Sequence, residues 1–150
     1  MSTGTGWPPA VIVVGVDGSE RSIAAASVAA DVARSTGSKL HMVTVVRPPE
    51  GWWGVVGSPP PAESMGNALA KAQREVLDAA AAQIDLQGVE WEAVEEIGDP
   101  AGALFEHCRN EDAGLLVVGR RGAGILERLV MGSVADRLAH YSPCPVMIVP

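Results

Sequence analysis

A chain of 150 residues that is 47% hydrophobic has the material for one domain with a substantial buried core. Its formal net charge of −7, with Lys39 and Lys71 as its lysines, excludes a general electrostatic attraction for nucleic acid or for an anionic membrane. No apolar run approaches the ~20 residues of a membrane-spanning helix, and Met1 to Pro9 carries neither a basic region nor a cleavage-like site, so a soluble cytoplasmic protein is expected.

Residues 1–9 read as a flexible lead. Val11 to Val16 is a short apolar run rich in β-branched residues, which fits a strand covered on both faces. Ser19 to Ser35 is Ala-rich, with Ile23, Ala26, Ala30 and Ala33 at helical spacing and Gly37 as the C-terminal stop. Leu40 to Val46 is the second strand. Pro48 to Pro61 reads as a loop insertion, with Trp52 and Trp53 set among Gly51, Gly54 and Gly57. A second helix is expected from Ala62 to Ile84, with Leu69, Ala72, Val76 and Ala79 on its inner face. Glu90 to Ile97 alternates as an edge strand whose acidic side, Glu90, Glu92 and Glu96, faces water. Asp99-Pro100 starts a helix with a capping carboxylate and a proline in the first turn, a structural role for Asp99. Leu115 to Val118 is strand four, Ser133 to Tyr141 a helix and Val146 to Val149 strand five. This alternation implies right-handed βαβ crossovers, hence one α/β domain over 1–150 with a parallel sheet and helices on both faces.

Other residues are quieter. His41, His107 and His140 fall at isolated positions and read as core or surface histidines, and no metal site is expected. Cys108 and Cys144 are too few and too widely spaced for a metal knuckle or a disulfide framework, so buried or indifferent thiols are expected.

The stretch Leu115-Leu116-Val117-Val118-Gly119-Arg120-Arg121-Gly122, nine further residues and then Gly132-Ser133-Val134-Ala135-Asp136 carries the strongest functional signal. Gly119, Gly122 and Gly132 let main-chain N–H groups approach a ligand closely. A helix starting near Ser133 presents unpaired N–H groups and a positive dipole end to an anion. Arg120, Arg121 and Arg128 concentrate positive charge in the same loop. Gly-x-x-Gly, nine residues, Gly-Ser resembles the ATP-binding signature of the universal stress protein family. Val13-Val14-Gly15-Val16-Asp17-Gly18-Ser19 resembles that family's first strand and turn, Leu40 to Pro48 its second strand, and His140 to Pro150, with Cys144-Pro145-Val146, its closing segment. The resemblance spans nearly the whole chain except the loop around Trp52.

The resemblance implies an open five-stranded sheet in the order 3-2-1-4-5, of the adenine-nucleotide alpha-hydrolase-like kind, with strands one and four side by side. Ligands of such sheets bind beyond the carboxyl ends of the strands where the order reverses, where Asp17 and Gly119 emerge. It further implies that Asp17, beside Gly15 and Val16, recognises the nucleoside, although a turn or N-cap role for the helix near Ser19 competes. Val45 matches the position whose backbone meets adenine, and Gly119, Gly122, Gly132, Ser133 and Val134 match the ribose and phosphate positions. Arg120, Arg121, Ala123 and Gly124 complete the expected loop. Ser133 also reads as the N-cap of a capping box closed by Asp136.

Two other nucleotide signatures are missing. Without G-x-x-x-x-G-K-[ST] there is no P-loop lysine, so rapid hydrolysis is not expected. Gly122-Ala123-Gly124 begins like a dinucleotide fingerprint, but Glu127 stands where its third glycine belongs. The family implies an ATP-binding, regulatory or protective module, with Mg or Mn on the nucleotide and a homodimer paired through Val146 to Val149. A slow metal-dependent ATP hydrolase or phosphotransferase using the same site is the alternative, and a stress protein acting by interaction alone is a third. The Trp52/Trp53 loop, leaving strand two on the ligand side, is expected to be a lid or an interface.

Overall fold

A computed structural model describes residues 6–47, 62–120 and 132–150, with backbone only over 62–65. In chain order the elements are β1 (Val11–Gly15), α1 (Glu20–Thr36), β2 (Lys39–Val46), α2 (Ala62–Gln83), β3 (Trp91–Ile97), α3 (Pro100–Asn110), β4 (Leu115–Gly119), α4 (Ser133–Tyr141) and β5 (Val146–Val149). The strands form one parallel sheet in the order β3-β2-β1-β4-β5, the expected α/β architecture. No described helix is long and apolar enough to cross a membrane.

The two helical layers follow from strand alternation. On β1, Ile12 and Val14 face α1 and α2 in one core, which Leu40, Met42, Leu77 and Val117 share. Val13 faces the opposite core, with Val43, Leu104, Leu116, Val118 and Leu138, beneath α3 and α4. Small side chains let α1 lie close to the sheet: Ala25, Ala26, Ala29, Ala30 and Ala33 are buried. The Ser19 side chain caps the start of α1 by accepting from the Ser22 N–H, and Gly37, at φ 73°, ends it in the left-handed conformation. Asp99 caps α3 by accepting from the Gly102 N–H at 2.9 Å, with Pro100 in the first turn as expected. Its carboxyl is held below the ordinary carboxylate range by that N–H and by the guanidinium groups of Arg137 and Arg47. Pro9, at the end of the N-terminal lead, is buried, and its carbonyl accepts from the Ser38 hydroxyl.

The expected faces of α2 and β3 hold only in part. Among the described side chains of α2, Gln73, Leu77 and Ala80 are buried and Val76 packs against the same core as expected, while Ala72 and Ala79 are exposed. An alanine fits either side of a helix, but Gln73 has a specific reason to be inside: its amide donates to the carbonyls of Thr44 and Glu96 at 3.0 and 2.6 Å. Burying that amide costs little because both N–H bonds are made. On β3, Glu90 and Glu92 are exposed as expected and Glu96 is half-buried, but Glu92 and Glu96 also approach side chains of neighbouring elements. Glu92 lies 3.0 Å from the Lys39 Nζ and 3.5 Å from His41, and Glu96 lies 3.8 Å from His107.

Candidate functional site

The strand order reverses between β1 and β4, which pair directly. The chain leaves β1 for α1 on one face and leaves β4 toward α4 on the other, so the carboxyl ends of the two central strands open into a crevice. A cleft of about 220 Å³ occupies that position.

Its β1 side is a fixed turn. The Val16 N–H donates to the Val43 carbonyl at 2.8 Å, extending the β1–β2 ladder by one bond. The Asp17 N–H donates to the Ser22 Oγ at 3.2 Å, and the Asp17 Oδ1 accepts from the Ser19 N–H at 2.9 Å. Ser22 Oγ in turn donates to the Ser19 carbonyl at 3.0 Å. The Asp17 carboxylate, exposed at the mouth, is thereby held in an Asx turn, while the cap of α1 is Ser19. The N-cap role considered for Asp17 belongs to Ser19, because the helix begins at Glu20.

The β4 side is packed too closely for side chains. A Cβ on Gly119 would sit 2.9 Å from the Arg21 carbonyl oxygen, a backbone atom that cannot swing away. The cleft's third edge is the start of α4. Gly132 is the N-cap, its own N–H donating to the Arg120 carbonyl at 2.8 Å and its carbonyl accepting from the Asp136 N–H at 2.9 Å. That last bond is the first of the helical ladder, so the N–H groups of Ser133, Val134 and Ala135 precede it, at the positive end of the dipole. Ser133 is the first helical residue and not the cap. The capping box is therefore corrected: the helix starts one residue earlier than Ser133 would need in order to cap it.

Eight of the expected site residues line the cleft: Gly15, Val16, Asp17, Val45, Gly119, Gly132, Ser133 and Val134. Arg120 follows Gly119, and its N–H donates to the Val149 carbonyl at 2.7 Å. Arg121, Gly122, Ala123 and Gly124 lie outside the described residues, as do Arg128 and the Trp52/Trp53 loop. Sequence reasoning missed Ser22, Val43, Pro100, Leu104, Val118 and Ala135. The period-2 relation of Val43 to Val45 could have found the first valine. Nothing local marks Pro100 and Leu104, which arrive through the packing of α3.

A second constellation lies on the same face of β2, toward its amino end. His41 and His107, expected to be isolated, are both buried, with His41 Nδ1 2.9 Å from His107 Nε2. The sequence separates them by 66 residues, and only the packing of α3 on β2 joins them. Burial pushes the His41 pKa down, against the opposing pull of Glu92.

The two cysteines are also neighbours in space. Cys108 is buried and packs in one cluster with Cys144; the neighbouring Cys108 thiol, with the Ser142 hydroxyl adding to the effect, pulls the Cys144 pKa down to about 7. The expectation of indifferent thiols is corrected for Cys144. Its alkylation by iodoacetamide should rise with pH through a midpoint near 7. Cys108→Ala, which removes the neighbouring thiol, should move that midpoint upward toward an ordinary thiol. Equal midpoints in the two proteins would show that the thiol pair does not set the reactivity.

The profile of the universal stress protein family matches residues 10–150. Universal stress protein YxiE of Bacillus subtilis is 29% identical over 92% of this chain and 97% of its own length. A universal stress protein crystallised in complex with cAMP superposes with a TM-score of 0.66 at 31% identity, covering 94% of this chain and 96% of that one. One from Archaeoglobus fulgidus in complex with dAMP gives a TM-score of 0.64 at 25% identity, covering 93% and 96%. With the sheet order, the glycine-walled crevice and a match over almost its full length, this chain belongs to the universal stress protein family.

Proposed function

We propose that the cleft binds an adenine nucleotide, specifically ATP, and that the protein is a nucleotide-sensing regulatory or protective module of the cytoplasmic stress response. The observation that carries this reading is the convergence of the ends of β1, β2 and β4 and the N-terminus of α4 on one cleft. Val16, Val43, Val45 and Leu104 give it an apolar part suited to a purine ring. Along β2, odd-numbered residues turn their backbone toward β1: the Lys39 N–H donates to the Ala10 carbonyl, and the Val43 carbonyl accepts from Val16. Val45 has the same orientation but lies past the point where the chain turns away at Asp17. Its N–H and C=O therefore face the space where an adenine edge offers the complementary acceptor and donor. Asp17 accepts from the nucleoside, and the first-turn N–H groups of α4, with the Ser133 hydroxyl, receive phosphate. Gly119 and Arg120, and by sequence position Arg121, Gly122, Ala123 and Gly124, complete the phosphate loop. Mg²⁺ or Mn²⁺ accompanies the phosphates. The relatives solved in complex with cAMP and dAMP support an adenine nucleotide as the ligand class.

Mass spectrometry of ligand released from purified protein, followed by calorimetry with ATP, AMP and cAMP, tests this reading. Near one ATP per chain, bound more tightly than either monophosphate, is the expected result. Preference for a monophosphate would reject ATP, and steady ADP production would favour the slow hydrolase. Asp17→Asn keeps an oxygen for the Ser19 N–H but replaces the second with an N–H₂ donor. It should weaken ATP by about tenfold, or ~1.4 kcal/mol, with melting unchanged; parental affinity would remove Asp17 from the site.

A homodimer paired through β5 belongs to the same proposal. Val146–Val149 forms one edge of the sheet, with its side chains half-buried in the isolated chain. Truncation after Cys144 should give monomer or insoluble protein, and a truncated chain still dimeric by light scattering would place the interface elsewhere.

A further inference from the structure

The buried histidine pair has more order than a packed core requires. His107 and Glu111 are four residues apart, and the Glu111 N–H donates to the His107 carbonyl at 3.0 Å, so the helical spacing sets both side chains on one face. Opposite them on β2 stands His41. Donor atoms of His41, His107 and Glu111 all lie within 4.8 Å of one another. The outer nitrogens of the two rings face carboxylates, His41 Nε2 toward Glu92 at 3.5 Å and His107 Nδ1 toward Glu96 at 3.8 Å. Lys39 holds the other oxygen of Glu92 at 3.0 Å.

Proton counting then exposes a mismatch. Two neutral imidazoles carry two N–H protons, and three contacts compete for them: the 2.9 Å bond between the rings and the longer approaches of Glu92 to His41 at 3.5 Å and of Glu96 to His107 at 3.8 Å. With one proton between the rings, one carboxylate faces a bare lone pair across its gap. If both outer nitrogens are protonated, two lone pairs converge on the 2.9 Å inner gap. A cation there satisfies every group at once. Each ring would donate its outer N–H to a carboxylate and give its inner lone pair to a metal, the carboxylate–histidine–metal arrangement of protein zinc sites. Metal–nitrogen bonds of 2.0–2.1 Å in tetrahedral geometry set the two nitrogens about 3.3 Å apart, so the rings, now 2.9 Å apart and pointing nearly at each other, would move apart by a few tenths of an ångström and turn to converge on the ion. The site also lies against the C-terminal turn of α3, whose dipole favours a cation.

We propose that His41, His107 and Glu111 bind one divalent transition-metal ion of the Zn²⁺ class, with a water in the fourth position. The ion would tie β2 to the end of α3 and needs no nucleotide, so the site stands or falls separately from the nucleotide reading.

The test adds Zn²⁺ alone to chelator-treated, nucleotide-free full-length protein, read by calorimetry and melting, with Co²⁺ as a spectroscopic probe. One Zn²⁺ per chain, a raised melting temperature and the visible absorption of four-coordinate Co²⁺ are expected. Glu111→Gln, at an exposed position, should weaken Zn²⁺ at least tenfold, His107→Gln should abolish uptake, and His140→Gln should leave it unchanged. Because His107 is buried and its variant could misfold, nitrogen NMR of the parent supplies a second readout: Zn²⁺ should shift His41 Nδ1 and His107 Nε2 while leaving the outer nitrogens protonated. Absence of Zn²⁺ uptake, or uptake that moves neither nitrogen and survives Glu111→Gln, would overturn the proposal and leave the pair as two histidines sharing a proton.

Discussion

Ser133→Glu is expected to lower ATP affinity at least about 100-fold, or ~2.7 kcal/mol, while leaving the melting temperature unchanged or slightly raised. The two effects have opposite signs for a physical reason. Ser133 is exposed and is the first residue of α4, where a carboxylate complements the helix dipole by roughly 0.3–1 kcal/mol. The same carboxylate would stand where the phosphates are proposed to lie, and like charges about 4 Å apart repel by roughly 4 kcal/mol at an effective dielectric of about 20. Screening reduces that figure but does not reverse it. Calorimetry and thermal melting on one preparation separate the two effects. A folded Ser133→Glu protein with parental ATP affinity would show that phosphate does not approach α4.

Leu116→Ala should cost about 3 kcal/mol, within a range of roughly 2–5, and lower the melting temperature by roughly 6–12 °C. Leu116 is fully buried on β4, with pairing strands on both sides, and packs in the core that α3 and α4 cover. Neighbours on a central strand cannot close over the vacated volume without breaking register, so most of the cavity should persist. The exposed Ala79→Ser on α2 is the control, expected to stay within about 0.5 kcal/mol. A loss below ~1 kcal/mol for Leu116→Ala in denaturant melts would mean that the layer under α3 and α4 is not tightly packed.

The sequence by itself determined the elements and their order. Continuous apolar, β-branched runs such as Val11 to Val16 and Leu115 to Val118 fit strands covered on both faces, and Ser19, Gly37 and Asp99-Pro100 mark helix ends through bonds made within four or five residues. The backbone part of the cleft was legible for the same reason: Gly15 and Gly119 end strands, Asp17 follows one and Gly132 opens a helix, and in a parallel sheet those ends meet on one edge. Features that depend on which faces touch were decided only by tertiary structure. Of the inner stripe expected on α2, Val76 packs on the core but Ala72 and Ala79 are exposed, because a methyl group carries little directional preference and the Gln73 amide found two carbonyl partners inside. Leu104 reached the cleft from α3, and Cys108 met Cys144 across the α3–α4 layer. His41 and His107 met between β2 and α3, drawing Glu92 and Glu96 of an edge strand toward them, since a side chain's partner across a packing layer is fixed by the docking of whole elements and leaves no periodic trace in the chain.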